Sequence, residues 1–258
     1  ENYFSEANLS NQVNFKFKDA YVAMHYRLIT GIFTFDPGVT LHSYKTATNQ
    51  LGKLVSNDFA FFRPDFRVLL KFKASETLRL TYRSTRQFTD VNNLAEGYIF
   101  RNYNSFFQGN PSLEAASFNV FNLNYQSINI FNFTNIFANI SYSERDDAIQ
   151  NITNIEGINS VNTASNSNFP RINYSANGRI DKRFKNFKSG LNINFIYSDF
   201  NNLINGLPTE SSSFNQSYRF NIATNFRTKP NIEIGYSYNK RDYNTGENNN
   251  VFYTDSPY

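Results

Sequence analysis

Apolar and polar residues alternate with a period of two through most of the chain, from residue 13 to residue 238. Tyr218, Phe220, Ile222, Thr224 and Phe226 alternate with Arg219, Asn221, Ala223 and Asn225. The pattern recurs in Ile232, Ile234, Tyr236 and Tyr238, and upstream in Leu191, Ile193, Phe195 and Tyr197. A side-chain period of two belongs to β-strands with one apolar and one polar face. The pattern predicts strands over residues 12–18, 21–35, 38–48, 58–62, 65–75, 77–88, 117–127, 129–143, 169–181, 188–199, 214–227 and 230–242. These are all-β elements in an antiparallel up-and-down meander of about 12 strands, with nearest-neighbour order and almost no helix. In the hairpin of residues 65–75 and 77–88, Phe66, Val68, Leu70, Phe72, Leu78, Leu80 and Tyr82 are expected on one face, with Arg67, Lys71, Lys73, Arg79, Arg83 and Arg86 on the other.

Several segments reach the roughly 9 to 11 residues a tilted strand needs to cross a bilayer, against about 5 to 6 for an ordinary strand. The joins are sorted by length. Asp36-Pro37-Gly38, Ala74-Ser75-Glu76, Ser127-Ile128, the Lys182–Lys185 region and Thr228-Lys229-Pro230 read as tight turns, whereas residues 89–116, 144–168 and 200–213 read as long polar loops. Short turns on one rim and long loops on the other are the habit of a transmembrane β-barrel. The fold expected is such a barrel or a large fragment of one, occupying residues 1–258 as a single domain.

Composition sharpens this picture. The 258 residues include 28 Phe and 17 Tyr but no Trp, and only 18% are charged. Asn is the most abundant residue, and the polar strand positions are filled by Asn, Ser and Thr, as suits a wet lumen better than bulk solvent. No run approaches the length of an apolar membrane helix. The first dozen residues lack the basic-then-apolar pattern of a signal peptide, so none is expected. With no cysteine, disulfides and thiolate metal sites are excluded. The formal charge of +4 is spread over many strands, which argues against nucleic acid as a partner.

Catalytic chemistry is sparse. His25 and His42 are the only histidines and lack a metal-ligand spacing. His25, on the polar face with Tyr21, Ala23 and Arg27, reads as a lumen or surface residue. No serine has the setting of an activated nucleophile. Glu144, Asp146 and Asp147 flank Arg145 and read as a solvated charge cluster at a loop edge. No enzyme, cofactor or metal is therefore expected.

Two groups are candidate ligand contacts. The basic side chains Arg67, Lys71, Arg79 and Arg83 would form a cationic lumen wall that attracts anions. Tyr98, Tyr103, Phe106 and Phe107, in an Asn-rich loop, could stack on a sugar or a chelate. For both groups a packing role stays open, the first against a plug and the second within the loop or in an aromatic girdle.

Leu78-Arg79-Leu80-Thr81-Tyr82-Arg83, a long loop, then Gln108-Gly109-Asn110-Pro111-Ser112-Leu113-Glu114 and a strand ending Leu123-Asn124-Tyr125 resemble the barrel portion of TonB-dependent outer-membrane receptors. The style continues from Phe169-Pro170 through Tyr243. The resemblance implies a non-catalytic transporter in the bacterial outer membrane that takes up a bulky nutrient such as a siderophore or glycan. It also implies contact with membrane lipid, a TonB-type energy-coupling protein acting through a plug region, an extracellular nutrient ligand and a surface lipoprotein. That family has a plug and 22 strands, whereas this chain reads as barrel sequence from its start with no plug domain expected. The loop after Arg86 also lacks the proline-containing stretch often seen in the family, so ligand contacts do not transfer by analogy. The competing reading is a soluble or surface-attached β-sandwich that binds carbohydrate or serves as an adhesin.

Overall fold

A computed structural model describes residues 11–258. It consists of one sheet of 16 strands, so the sandwich, which needs two packed sheets, is set aside. β1 (Val13–His25) and β2 (Leu28–Thr30) run in one register along β3 (Phe33–Gln50), followed by β4 (Lys53–Lys73) and β5 (Glu76–Gln87). β8 (Ala116–Asn129), β9 (Thr134–Asp146), β12 (Arg171–Phe184), β13 (Phe187–Ile204), β14 (Leu207–Thr224), β15 (Glu233–Thr245) and β16 (Asn248–Pro257) continue the sheet. Each pairs antiparallel with the next. With β1 and β2 taken as one bent strand, these make eleven staves. The remaining strands, β6 (Tyr98–Asn102), β7 (Ser105–Gln108), β10 (Ile149–Glu156) and β11 (Asn159–Asn166), are hairpins within the two long loops.

The loop hairpins depart from the expected all-antiparallel order. β11 pairs parallel with β7 and β10 pairs parallel with the top of β13, so the long loops join into a side sheet. A single-layer wall has no core of its own. Among the described residues the most buried apolar side chains therefore cluster mainly in and beside this loop layer: Leu94, Ala95, Phe106, Phe107, Ala116, Ala148 and Ala164. A 3₁₀ helix, Val91–Leu94, is capped by Asp90, whose side chain accepts from the N–H groups of Asn92 and Asn93.

Turn positions show where the expected boundaries were misplaced. Asp36-Pro37-Gly38 lies inside β3, and the reversal occurs at Gly31-Ile32. Tyr26 donates its N–H to the Pro37 carbonyl. Proline has no N–H to return, which interrupts the ladder between β1 and β2 without turning the chain. Residues 58–62 and 65–75 merge into β4, with Pro64 opposite Val39. The expected 200–213 loop is strand up to a two-residue turn, Asn205-Gly206, both at positive φ. That is the Asn-Gly signature of a tight hairpin. The Ser127-Ile128 turn falls at residues 130–133, where the Asn129 side chain accepts from the N–H groups of Phe131 and Asn132. β16 adds a strand the alternation did not extend to.

Candidate lumen site

Register assigns every side chain to a face. Phe66, Val68 and Leu70 oppose Tyr82, Leu80 and Leu78, and those three in turn oppose Phe121, Leu123 and Tyr125. This apolar face continues across the sheet as Tyr142, Tyr174, Tyr197 and Phe214. Neighbouring rings form a row at one level. Centroids are 6.4 Å apart for Phe35 and Phe66, 5.5 Å for Phe66 and Tyr82, and 4.5 Å for Tyr82 and Phe121. The row goes on at 6.2 Å to Tyr142, 5.0 Å to Tyr174 and 6.3 Å to Tyr197. An aromatic row above an apolar band is the girdle of a membrane-embedded wall.

The opposite face is polar. Asn124, Asn139 and Asn177 form a ladder in which Asn139 donates to Asn124 at 2.7 Å and Asn177 donates to Asn139 at 3.4 Å. These amides satisfy one another across strands on the watery side.

Four of the six predicted basic residues share this polar face. Arg67 opposes Thr81, Lys71 opposes Thr77, Arg79 opposes Leu69 and Arg83 opposes Asp65. Lys73 is a correction. A register shift between Lys71 and Lys73 sets Lys73 opposite Glu76, on the Leu78 face, with their charged groups 3.8 Å apart; the inserted residue exchanges the faces beyond it. Arg86 shares the parity of Tyr82 and opposes Ser117, yet its side chain reaches the polar side, where Phe61 opposes His42. Its guanidinium lies 5.1 Å from the centre of the Phe61 ring, and it donates to the Ala115 carbonyl.

A cleft of about 720 Å³ opens on the polar face, lined in part by His25, Arg27, Asp36, Asp65, Arg67 and Arg83. The cationic wall is less bare than the sequence suggested. Asp36 accepts from both Arg27 and Arg67, and the side chain of Asp36 is only 13% exposed. His25 approaches Asp65 at 3.4 Å. Arg83, Lys71 and Arg79 have no carboxylate within ion-pair distance among the described residues and stay exposed on this face. Asp36→Asn should leave two guanidiniums without a counter-charge and lower the temperature at which the heat-modifiable band converts. Asp58→Asn, in the exposed Lys45–Asp58 pair, should barely move it. Equal shifts in the two variants would show that the bridged carboxylate is no anchor.

The predicted loop aromatics divide by exposure. Phe106 and Phe107 are buried in β7, Phe107 at 1%, with the Arg101 guanidinium 4.8 Å from the Phe107 ring centre. Their geometry is that of loop packing. Tyr98 meets Phe106 edge-on at 6.4 Å, and Tyr103 is 90% exposed at the hairpin tip. Gly109 of the Gln108-Gly109-Asn110-Pro111 motif passes against the 3₁₀ turn, where an added Cβ would come within 2.6 Å of Ala95 and Asn93 backbone atoms. Its N–H donates to the Ala95 carbonyl at 2.7 Å. The motif thus clips the loop together.

Sequence reasoning passed over His42. It is 6% exposed and stacks on Tyr44, and its Nδ1 lies 2.9 Å from Asp19. Phe88 packs against Phe17, Tyr44 and Phe59 nearby, so the loop leaving β5 is rooted in an aromatic cluster on the polar face. The alternation marks the face but not that a loop will cover it.

The outer membrane protein beta-barrel family model matches residues 1–256. Among solved structures, the chain is similar to the FrpB iron transporter from Neisseria meningitidis (F3-3 variant), with 9% identity and a TM-score of 0.54 over 100% of this chain and 50% of that one. It is also similar to the copper transporter OprC, with 10% identity and a TM-score of 0.53 over 95% of this chain and 49% of that one. The siderophore receptor PiuA from Acinetobacter baumannii matches at 10% identity and a TM-score of 0.50, over 95% of this chain and 44% of that one. At these identities the likeness is one of fold, and the chain spans about half the length of the structures it matches. No curated protein sequence matches it.

Proposed function

This chain belongs to the outer membrane protein beta-barrel family, and from that premise we propose that it forms part of a non-catalytic transporter that takes up a bulky nutrient across the bacterial outer membrane. The observation that carries the reading is the division of one continuous wall into two faces. An apolar face with an aromatic row meets lipid. A polar face holds an arginine-lined cleft of about 720 Å³ below a folded loop layer. Lipid contact stabilises the first, and a water-filled passage accommodates the second.

In this reading Tyr98 and Tyr103 meet the nutrient at the mouth, and Arg67, Lys71, Arg79 and Arg83 draw its anionic groups along the lumen. Iron, copper and siderophore names among the fold's solved relatives make metal chelates the first ligands to try, with glycans second. A TonB-type energy-coupling protein, acting through a plug region, and a surface lipoprotein are the partners such uptake calls for.

The test is uptake by Gram-negative cells carrying the full-length protein, supplied with a ferric siderophore, a copper chelate or an oligosaccharide, with and without an uncoupler of the proton-motive force. Uptake of one compound that is abolished by the uncoupler is expected. Recovery of the protein as a stable monomer in the soluble fraction without detergent would overturn the reading.

A further inference from the structure

Two arginines face one another across neighbouring strands on the polar side of the wall. Arg171 of β12 is the direct partner of Arg145 of β9. Directly opposed side chains stand about 5 Å apart at Cβ, and like charges there are destabilising. Among the described residues, neither guanidinium has a carboxylate within ion-pair distance. The carboxylates nearest in sequence lie on the other face. Glu144 and Asp199 each oppose Ile172, and Asp146 opposes Ser117. One strand position toward the opposite rim, the same face carries Val120, Ser143, Asn173 and Ser198, again without a negative charge.

Each guanidinium instead lies over a phenylalanine. Arg145 is 4.9 Å from the centre of the Phe118 ring and Arg171 is 4.8 Å from that of Phe200. Stacking occupies the flat faces of the two groups and leaves their in-plane N–H donors free. The Nε of Arg145 is buried and has no hydrogen-bond partner. An unpaired buried donor on a charged group is costly unless something accepts from it. Serine and asparagine sit one step away. The Asn173 carbonyl oxygen accepts from Ser198 at 2.8 Å, which leaves its NH₂ as the end available to donate.

We propose that Arg145 and Arg171 form a subsite for a carboxylate or phosphate group of the transported ligand, one oxyanion accepting from both guanidiniums between the rings of Phe118 and Phe200. The proposal rests on the transport reading and narrows its cargo to anionic compounds. A bound oxyanion would turn the Arg145–Arg171 repulsion into two charge-assisted bonds and supply the missing acceptor at Arg145. Arg83 opposes Val120, a step from Phe118 on the same face, and would extend the positive potential toward the cleft.

The test uses the full-length protein in detergent micelles at low salt, titrated with citrate and with inorganic phosphate. Arg145→Gln and Arg171→Gln should each weaken citrate binding about ten- to a hundredfold. Arg219→Gln, on the same face but opposite Asn192 and outside the subsite, should change it less than twofold. Without a probe, Arg171→Gln should melt no lower than the wild type, because it removes a repulsion, and should lose the stabilisation that citrate confers on the wild type. Absence of saturable binding of either probe to the wild type, or equal affinities in wild type and both subsite variants, would overturn the proposal. Uptake of a purely uncharged compound by a heat-modifiable, membrane-inserted protein would sink the subsite and spare the transport reading. A detergent-free soluble protein would sink both.

Discussion

Leu70→Arg is expected to cost about 2 to 4 kcal/mol and to block assembly, which would show as loss of the heat-modifiable band in outer-membrane fractions. Leu70 lies on the apolar face between Phe33 and Leu78. It is four residues from Phe66 in the aromatic row, so a strand tilted by about 40° places it about 10 Å below the girdle, near the middle of a band about 25 Å tall. A guanidinium there has neither water nor a counter-charge. Lys71→Gln is the matched comparison. Its side chain points to the other face, opposite Thr77, so the barrel should assemble normally and only passage of anions should suffer. A tolerated Leu70→Arg beside an assembly-defective Lys71→Gln would invert the faces and remove the basis for a membrane wall.

Phe107→Ala should have the second large effect, about 3 to 5 kcal/mol, the usual cost of emptying a well-packed aromatic site. The loss should be local. Phe107 is buried in β7, which pairs with β6 and β11, away from the staves. Protease added to intact cells should therefore cut the 88–115 or 147–170 loops in the variant while the barrel keeps its heat-modifiable mobility. If Phe107 were instead a ligand contact, the variant would lose ligand capture with its loops still resistant. Tyr103→Ala, exposed at the hairpin tip, supplies that second phenotype for comparison.

The facing of the wall was legible because pleating is local. Once Leu78, Leu80 and Tyr82 are assigned to one side, Arg79 and Arg83 must lie on the other, whatever the rest of the chain does. Where one residue is added, the inference fails, and Lys73 shows it: nothing in Phe72-Lys73-Ala74 announces the shift that carries Lys73 across to Glu76. Arg86 has the parity of Tyr82, yet its guanidinium lies over Phe61 on the polar face, a reach between strands that parity alone does not reveal.

Turns were legible only in part. Asn205-Gly206 carries an explicit hairpin signal, yet the polar residues around it resembled a loop because β13 and β14 extend well beyond the girdle, where both faces are wet. Pro37 suggested a break and caused one in the ladder, not in the chain direction.

By itself, the order of residues determined an all-β wall, its apolar and polar faces, and the polar side on which Arg67, Lys71, Arg79 and Arg83 stand, because each follows from the two-residue repeat. Which charges are neutralised was decided in three dimensions. Asp36 reaches Arg67 across 31 residues of sequence and Arg27 across 9, and the Arg145–Arg171 pair exists only because β9 and β12 meet in one register. The loop layer that buries Phe107 likewise depends on β7 meeting β11, more than 50 residues away. Pairing between distant strands is set by the summed fit of a whole register, and no short stretch of sequence contains that sum.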